Sequence, residues 1–366
     1  MTRFLTPLAA ALPATVPFTG PETLERAQGR PFRARLGANE SLFGPSPKAR
    51  AAMEAAVAEV WMYADPESHA LKQALAAHHG VLPEHLVLGG GIDGLLGLLC
   101  RLTVEPGTPV VTSAGAYPTF AFHVSGYGGA LTRVPYRGDH EDPQALLDAA
   151  RKTGARLIYL ANPDNPMGSH HPAAVIEDMV ANLPAHSLLV LDEAYADLAP
   201  EGTIPRISPD HPQVIRLRTF SKGYGMAGAR VGYAIAPPDL AQAFDKVRDH
   251  FGMSRVAQIG ALAALQDQDW LVSIQNRVIA ARARVAQIAA ANGLKALPSA
   301  TNFVTIDCGG DGDRARALLR ETVARGVFIR MPGVAPLDRC IRVSLGDDAA
   351  LDVFEEVLPS ALAAAG

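Results

Sequence analysis

The sequence has few of the residues that mark disulfide-stabilised and metal-stabilised proteins. Its 366 residues include only three cysteines, Cys100, Cys308 and Cys340, and these form no CxxC pair and no metal-binding spacing. Isolated cysteines of this kind favour reduced thiols, as in the cytosol. We therefore expect a cytoplasmic protein without a metal site.

A strong charge of either sign and long apolar runs are absent too. Lysine and arginine number 33 against 37 aspartates and glutamates, so no basic footprint suggests nucleic acid. No apolar run reaches the length of a membrane span. Met1 to Thr15 is rich in leucine and alanine, but it has one early basic residue and its prolines interrupt the apolar stretch. We expect an N-terminal arm there rather than a secretion signal.

Short apolar runs alternate with helix-like stretches through the middle of the chain. The runs show no polar alternation, as expected of strands buried on both faces, and the pattern is typical of a doubly wound α/β fold. Strands are predicted at His85–Leu88, Pro109–Thr112, Leu157–Leu160, Leu188–Leu191, Val214–Leu217 and Val231–Ile235. Helices are predicted at Pro47–Val60, Ser68–His79, Leu95–Arg101, Pro143–Lys152 and Ala173–Asn182.

The pattern changes after Pro237. Long helical periodicities over Asp239–His250 and Arg255–Ala290 lead to strand-like runs at Asn302–Ile306 and Cys340–Leu345, which predict a smaller α+β domain. The length of the chain fits two domains. We expect an arm over residues 1–35 that packs on the small domain or a partner subunit, a large domain over 36–250 and a small domain over 251–366.

Three predicted strands are each followed by a polar residue of a different type. Asn165, Asp192 and Lys222 come at or just after the ends of successive apolar runs. In an open α/β sheet the carboxyl ends of the strands line the ligand crevice. A lysine at such an edge, beside a glycine-rich segment, can form a Schiff base with an aldehyde cofactor, and pyridoxal phosphate is the leading case.

The order of these segments resembles the class I/II (fold type I) pyridoxal-phosphate-dependent aminotransferases, and most of all their histidinol-phosphate aminotransferase branch. The motifs are Asn162-Pro163-Asp164-Asn165-Pro166-Met167-Gly168, Asp192-Glu193-Ala194-Tyr195 and Ser221-Lys222-Gly223-Tyr224-Gly225-Met226-Ala227-Gly228-Ala229-Arg230. Three motifs in order are far more specific than one. The resemblance covers nearly the whole chain. It implies a homodimer that moves an amino group between an L-amino acid or amine, such as histidinol phosphate, and a 2-oxo acid.

The resemblance assigns the cofactor ring to residues of these motifs. Lys222 would bond to the cofactor aldehyde and, once displaced by the substrate amine, would carry a proton between the substrate Cα and the C4′ carbon of the cofactor. Asp192 would keep the ring nitrogen protonated. Tyr195 and Asn165 would donate hydrogen bonds to the 3′ oxygen of the ring, and Tyr117 would stack on the ring.

A glycine-rich turn over residues 89–94 follows a predicted strand and opens a helix. It matches GxGxxG, but the next strand ends in Thr112-Ser113-Ala114-Gly115, without the acid that binds a ribose, so we reject a dinucleotide. Backbone amides in such a turn bind phosphate. The predicted residues for the cofactor phosphate are Gly91, Ile92, Asp93, Thr219, Ser221, Arg230 and, by resemblance, Tyr63 from the neighbouring subunit.

Substrate binding is assigned by resemblance as well. Arg342 would grip the substrate α-carboxylate with a bidentate pair, and Arg330 would bind a side-chain phosphate or carboxylate. Asn39 lies in a segment close to the active site. The chain departs from the family pattern at Ile92 to Gly94, at Met167 and at Phe251 to Ser254.

Two other enzymes share these motifs. One is a decarboxylase of a phosphorylated amino acid such as threonine phosphate, and the other is an aromatic amino-acid aminotransferase. A cofactor-binding regulator without catalysis is disfavoured, because such regulators carry an added DNA-binding domain. A pattern that spans nearly the whole chain leaves no room for that domain.

Overall fold

The structure is a computed structural model that describes residues 4–14 and 18–366. Residues 1–3 and 15–17 of the predicted N-terminal arm lie outside the described residues. The strands are β1 (Ala34–Arg35), β2 (Leu86–Gly89), β3 (Pro109–Ser113), β4 (Ala130–Val134), β5 (Leu157–Ala161), β6 (Leu188–Asp192), β7 (Val214–Thr219), β8 (Gly232–Ile235), β9 (Lys295–Ala296), β10 (Phe303–Asp307), β11 (Val327–Phe328) and β12 (Cys340–Ser344).

Helices separate most of these strands. The α-helices are α1 (Pro7–Ala11), α2 (Pro21–Gln28), α3 (Pro47–Ala56), α4 (His69–His79), α5 (Gly91–Thr103), α6 (Pro118–Gly126), α7 (Pro143–Thr153), α8 (Ala173–Ala181), α9 (Pro238–Ala243), α10 (Arg255–Leu265), α11 (Gln268–Ala291), α12 (Gly312–Ala324) and α13 (Asp348–Ala365). Single 3-10 turns lie at Val57–Glu59, Pro83–His85, Ala196–Leu198, Ala227–Ala229, Phe244–Lys246 and Leu337–Arg339. None of the described helices is long and apolar enough to cross a membrane.

The large sheet has seven strands in the order β2-β8-β7-β6-β5-β3-β4. Successive residues of each central strand point into two different apolar cores, as the unalternating sequences require. On β5, Leu157 and Tyr159 pack with α5 and α6, whereas Ile158 and Leu160 pack with α7 and α8. Helices therefore cover both faces, and the doubly wound, mostly parallel fold is confirmed.

Strand direction brings the functional segments to one edge of this sheet. Strands β4, β3, β5, β6 and β7 are parallel, so their carboxyl ends lie together. Strand β8 is antiparallel to both β7 and β2, so β2 again runs in the common direction. The end of β2 and the start of β8 therefore lie at the same edge as the ends of β5, β6 and β7.

The C-terminal part of the chain forms a smaller α+β unit. Strands β12, β10 and β9 make an antiparallel sheet, and α11, α12 and α13 pack on it around a separate apolar core. Strand β1 pairs with β11 of the same unit, with Ala34 opposite Val327. The chain just before residue 36 is thus tied to the C-terminal unit.

Two predicted helices are wrong in part. The helix expected over Asp239–His250 ends at Ala243 and tightens to a 3-10 turn over Phe244–Lys246, because apolar packing stops at the buried Phe244. The long helix over Arg255–Ala290 is two helices. Asp267 breaks it, since its carboxylate is held by the Lys48 amine at 2.8 Å while its carbonyl accepts from Trp270 N.

Candidate active site

A cavity of about 520 Å³ lies at the carboxyl edge of the large sheet, where the C-terminal unit faces it. Most of the predicted site residues share its wall. Those that line it are Asn39, Ile92, Asp93, Tyr117, Asn165, Asp192, Tyr195, Thr219, Ser221, Lys222, Arg230, Arg330 and Arg342. Gly91 and Tyr63 do not line it, and Tyr63 is exposed.

Lys222 follows the end of β7 and places its amine inside this cavity. The Nζ atom donates to the Asn39 carbonyl at 2.9 Å and lies 5.6 Å from the centre of the Tyr195 ring. Burial, followed by the positive charge of Arg342, lowers the pKa of Lys222 to about 8. More of this amine is therefore unprotonated near neutral pH than of an ordinary lysine, which favours it as a nucleophile or general base.

Asp192 ends β6 and is a buried acid without a counter-ion. Its Oδ2 accepts from the Tyr159 hydroxyl at 2.7 Å and its Oδ1 accepts from Ala194 N at 2.9 Å. No described cation forms an ion pair with it, and burial raises the pKa of Asp192 to about 6. A cationic group in the cavity, such as a protonated ring nitrogen, would satisfy this acid.

The Tyr195 hydroxyl accepts hydrogen bonds from two side-chain amides. It accepts from Asn39 Nδ2 at 3.1 Å and from Asn165 Nδ2 at 3.4 Å. Burial raises the pKa of Tyr195, so the hydroxyl keeps its proton and can donate it to an oxygen in the cavity. Asn39 has a left-handed backbone, with φ of 55°, and Ser344 Oγ donates to its side-chain oxygen at 3.0 Å.

The start of α5 and the segment around Arg230 form a cradle for an anion. The amides of the first helical turn, from Gly91, have no acceptor within the helix. Arg230 donates to Ser221 Oγ at 3.4 Å and to the Gly90 carbonyl at 3.3 Å. Gly91 has φ of 81°, which favours glycine, and a Cβ built on it would lie 2.3 Å from Arg230 Nη2, so the guanidinium would have to move. Thr219 Oγ1 donates to Ser221 Oγ at 2.9 Å.

Tyr117 stands above this cradle, just before α6. Its hydroxyl donates to Asp93 Oδ2 at 3.4 Å, and burial together with Asp93 raises the pKa of Tyr117 to about 12. Phe18 stacks on its ring, with centroids 5.8 Å apart and planes 24° from parallel. Tyr117 thus presents a neutral aromatic ring at the cavity wall.

Three features of this cavity suit pyridoxal phosphate. The buried acid Asp192 lacks a cation, the amine of Lys222 titrates low enough to attack an aldehyde, and the cradle at Gly91 would be filled by a Cβ. Ring nitrogen, aldehyde and phosphate of one molecule match these three features.

Two arginines, Arg330 and Arg342, also line the cavity. Arg342 in β12 and Arg330 bond to each other through their backbones, with Arg342 N donating to the Arg330 carbonyl at 2.6 Å. Neither guanidinium has an acidic partner among the described residues, and Arg342 Nε is buried without any hydrogen-bond partner. Burial lowers the pKa of Arg342 to about 10. Two cations that have no acidic partner in the described part of the chain can accept an anionic ligand.

Tyr63 and two of the three departures from the family pattern lie outside the cavity. The Tyr63 side chain is 77% exposed and packs on Phe251, with ring centroids 4.6 Å apart. Met167 is buried against Leu297, Leu337 and Cys340. These departures leave the cavity wall intact, whereas Ile92 and Asp93 belong to it.

Sequence reasoning missed two aromatic residues that line the cavity, Tyr159 and Phe18. Tyr159 lies in the middle of a strand-like run, where a tyrosine is ordinarily part of the core; the only signal was one hydroxyl in an otherwise apolar run. Phe18 comes from the N-terminal segment, and its place against Tyr117 and the Arg330 guanidinium had no local signal.

Comparison with known proteins gives consistent matches. The sequence profile of the family described as aminotransferase class I and II matches residues 34–358. A histidinol-phosphate aminotransferase of Roseiflexus castenholzii is 35% identical over 371 aligned positions, covering 98% of this chain and 99% of that protein. One from an Anaeromyxobacter species is 37% identical, covering 93% of this chain and 94% of that protein.

A solved structure also matches over the full length. The crystal structure of histidinol-phosphate aminotransferase from Sinorhizobium meliloti in complex with pyridoxal 5′-phosphate superimposes with a TM-score of 0.97. It is 53% identical in sequence and covers 100% of this chain and 99% of that one.

Proposed function

The chain belongs to the class I and II aminotransferases, and from that premise we propose that its amino donor is histidinol phosphate or a close analogue. It is a pyridoxal-phosphate-dependent aminotransferase, an enzyme that moves an amino group from an L-amino acid or amine to a 2-oxo acid. The observation that carries the choice of donor is the pair Arg330 and Arg342, two cavity cations without acidic partners. The relatives that carry the name histidinol-phosphate aminotransferase support the same choice.

Bound pyridoxal phosphate supplies an electron sink for the bond that breaks at the substrate Cα. The protein supplies the groups that hold the cofactor and move the proton. Lys222 Nζ would hold the cofactor through its aldehyde carbon and, once the substrate amine has displaced it, would carry a proton between the substrate Cα and the C4′ carbon of the cofactor. The carbonyl of Asn39, which accepts from this amine, directs it into the cavity.

Residues of the cavity would hold the cofactor at its nitrogen, its ring oxygen and its phosphate. The Asp192 carboxylate would pair with the ring nitrogen, and Tyr195 and Asn165 would donate to the 3′ oxygen. Tyr117 would stack on the ring. The amides of Gly91, Ile92 and Asp93 and the side chains of Thr219, Ser221 and Arg230 would bind the phosphate.

The two arginines bind the anionic end of each substrate in turn. A phosphate ester carries two negative charges, and a dicarboxylic 2-oxo acid carries one at each end. The planar forks of Arg342 and Arg330 suit both groups. One pair of cations therefore serves the phosphorylated donor and the acceptor in successive half-reactions.

The working enzyme is a cytoplasmic homodimer in this proposal. Tyr63, which by resemblance reaches the phosphate site of the neighbouring subunit, is exposed beside Val60, Trp61 and Phe251, whose exposed fractions are 62%, 80% and 53%. Such an apolar surface is typical of one that a partner covers. Three free, buried cysteines agree with a reducing compartment.

A donor panel tests the function. The purified enzyme is given 2-oxoglutarate with histidinol phosphate, histidinol, aromatic amino acids or threonine phosphate, and both glutamate and carbon dioxide are measured. We expect glutamate with histidinol phosphate, at a kcat/KM at least about a hundredfold above that with unphosphorylated histidinol, because the arginines then lose their anion. Lys222→Ala should form no glutamate with any donor.

The other arms of the panel decide between the alternatives. Carbon dioxide from threonine phosphate would identify a decarboxylase. Faster glutamate formation with aromatic amino acids than with histidinol phosphate would identify an aromatic aminotransferase. Equal rates with histidinol and its phosphate would overturn the role of Arg330 and Arg342 in choosing the donor.

A further inference from the structure

We propose that Tyr159 is a positioning residue whose hydroxyl holds the Asp192 carboxylate in the orientation and charge state in which it meets the cofactor ring nitrogen. The inference rests on the proposed function, in which Asp192 faces that nitrogen. The Tyr159 hydroxyl donates to Asp192 Oδ2 at 2.7 Å, and Ala194 N donates to Oδ1 at 2.9 Å. Each oxygen of the carboxylate is therefore fixed by one donor of the chain.

The fold places Tyr159 for this contact. Ala161 lies opposite Asp192 in the register of β5 and β6, and Tyr159 is two residues earlier, on the same face of the sheet. Its ring is fully buried and stacks on Phe120, with centroids 4.7 Å apart and planes 15° from parallel. Asp192 is the only hydrogen-bond partner of this hydroxyl among the described residues. The ring is locked, so the hydroxyl has one direction in which to donate.

The charge around Asp192 makes this donor important. Burial raises the pKa of Asp192, and the carboxylates of Asp93 on α5 and of Glu193 next in the chain raise it further. The Tyr159 hydroxyl and Ala194 N lower it. Burial, followed by the charge of Asp192, raises the pKa of Tyr159, so the phenol keeps its proton and remains a donor. Without this donor, the proton shared with the ring nitrogen would move toward the carboxylate.

Tyr159→Phe tests the proposal because it keeps the stacked ring and removes one oxygen. The holoenzyme is prepared with 15N-labelled pyridoxal phosphate, and the 15N chemical shift of the ring nitrogen is followed against pH. We expect the nitrogen of the variant to lose its proton at lower pH than that of the wild type. The cofactor dissociation constant should rise about tenfold, as for the loss of a hydrogen bond to a charged group.

Tyr136→Phe is the matched control. The Tyr136 hydroxyl donates to another buried carboxylate, Asp164 Oδ1, at 2.9 Å and does not touch Asp192. It should lose similar stability while the ring nitrogen titrates as in the wild type. Equal shifts of the nitrogen titration in both phenylalanine variants would overturn the proposal. The effect would then come from a general loss of stability of the protein and not from the contact of Tyr159 with Asp192.

Asp192→Asn separates failure of the inference from failure of the proposed function. If the nitrogen keeps its wild-type titration in this variant, Asp192 does not face it, and the proposed role of Asp192 falls with the inference. If Asp192→Asn changes the titration and Tyr159→Phe does not, only the inference fails. Should Tyr159→Phe not fold, 3-fluorotyrosine at position 159, a stronger donor, should shift the titration to higher pH. No shift would overturn the proposal.

Discussion

Lys222 has an amine whose reactivity depends on its surroundings. Burial and the charge of Arg342 lower its pKa from 10.5 to about 8. Only the unprotonated amine attacks an aldehyde, so the rate at which cofactor-free enzyme takes up pyridoxal phosphate should rise with pH up to about 8 and then level off. The measurement is the initial rate of appearance of bound-cofactor absorbance across a pH series.

A variant of Arg342 gives the control for this pH dependence. Arg342→Gln removes the cation that contributes most to the shift after burial. The half-maximal rate should therefore move to higher pH, toward the ordinary lysine value. A wild-type rate that continued to rise to about pH 10 would show that the Lys222 amine titrates as a free lysine does, and would contradict the prediction.

Strand direction is sufficient to predict some residues of the site. Asn165, Asp192 and Lys222 lie at or just after the carboxyl ends of parallel strands, and the structure brings them to one cavity. Tyr159 and Phe18 could not be predicted, because a strand interior and an N-terminal segment carry no such rule. Their contacts depend on strand register and on packing across long sequence separations.

At the scale of the element, the first turn of α5 determines the anion cradle. Gly91 has φ of 81° and lies against the Arg230 guanidinium. Gly91→Ala would strain the backbone and displace Arg230, because the new Cβ would lie 2.3 Å from Nη2. We expect the dissociation constant of pyridoxal phosphate to rise about tenfold or more, as when a charge-assisted hydrogen bond is lost.

Gly94→Ala, in the same helical turn, is the matched control. A Cβ at Gly94 meets nothing within 4 Å, and its φ is not positive. This change should leave cofactor affinity at the wild-type value and stabilise the protein by about 0.5–1 kcal/mol, as for glycine to alanine inside a helix. Cofactor titration and thermal unfolding measure the two effects. Weaker binding in both variants would argue against a specific cradle at Gly91.

The elements differ in how well sequence reasoning predicts them. The central strands are found because burial on both faces leaves continuous apolar runs. Strand β4 was missed, since it lies at the edge of the sheet and keeps exposed and polar residues such as Arg133. The break between α10 and α11 was missed because the ion pair of Asp267 with Lys48 joins residues far apart in sequence.

At the scale of the whole molecule, the cavity combines distant parts of the chain. Asp192 and Lys222 come from the large sheet, whereas Arg342 comes from the C-terminal unit. The division into an arm over 1–35, a large domain over 36–250 and a small domain over 251–366 stays a prediction. The same is true of the second subunit, for which the exposed surface around Tyr63 provides support.

Subunit complementation tests whether Tyr63 acts at the neighbouring site. Lys222→Ala and Tyr63→Ala chains are co-expressed with different tags, and dimers that carry both tags are isolated. In such a dimer one site lacks Lys222, but the other combines Lys222 of one chain with Tyr63 of its partner. Each mixed dimer should therefore have one intact site and about half of the wild-type activity per dimer.

The control pairs Lys222→Ala with Asp192→Asn. Both residues serve the cavity of their own chain, so neither site of this mixed dimer is intact and activity should stay near that of the single variants. If Tyr63 acted within its own chain, the first mixed dimer would be as inactive as this control. Single-tagged protein that eluted as a monomer at working concentration would contradict the dimer itself. The two pairings thus separate a shared site from a merely adjacent one, because they differ only in which chain supplies the second group.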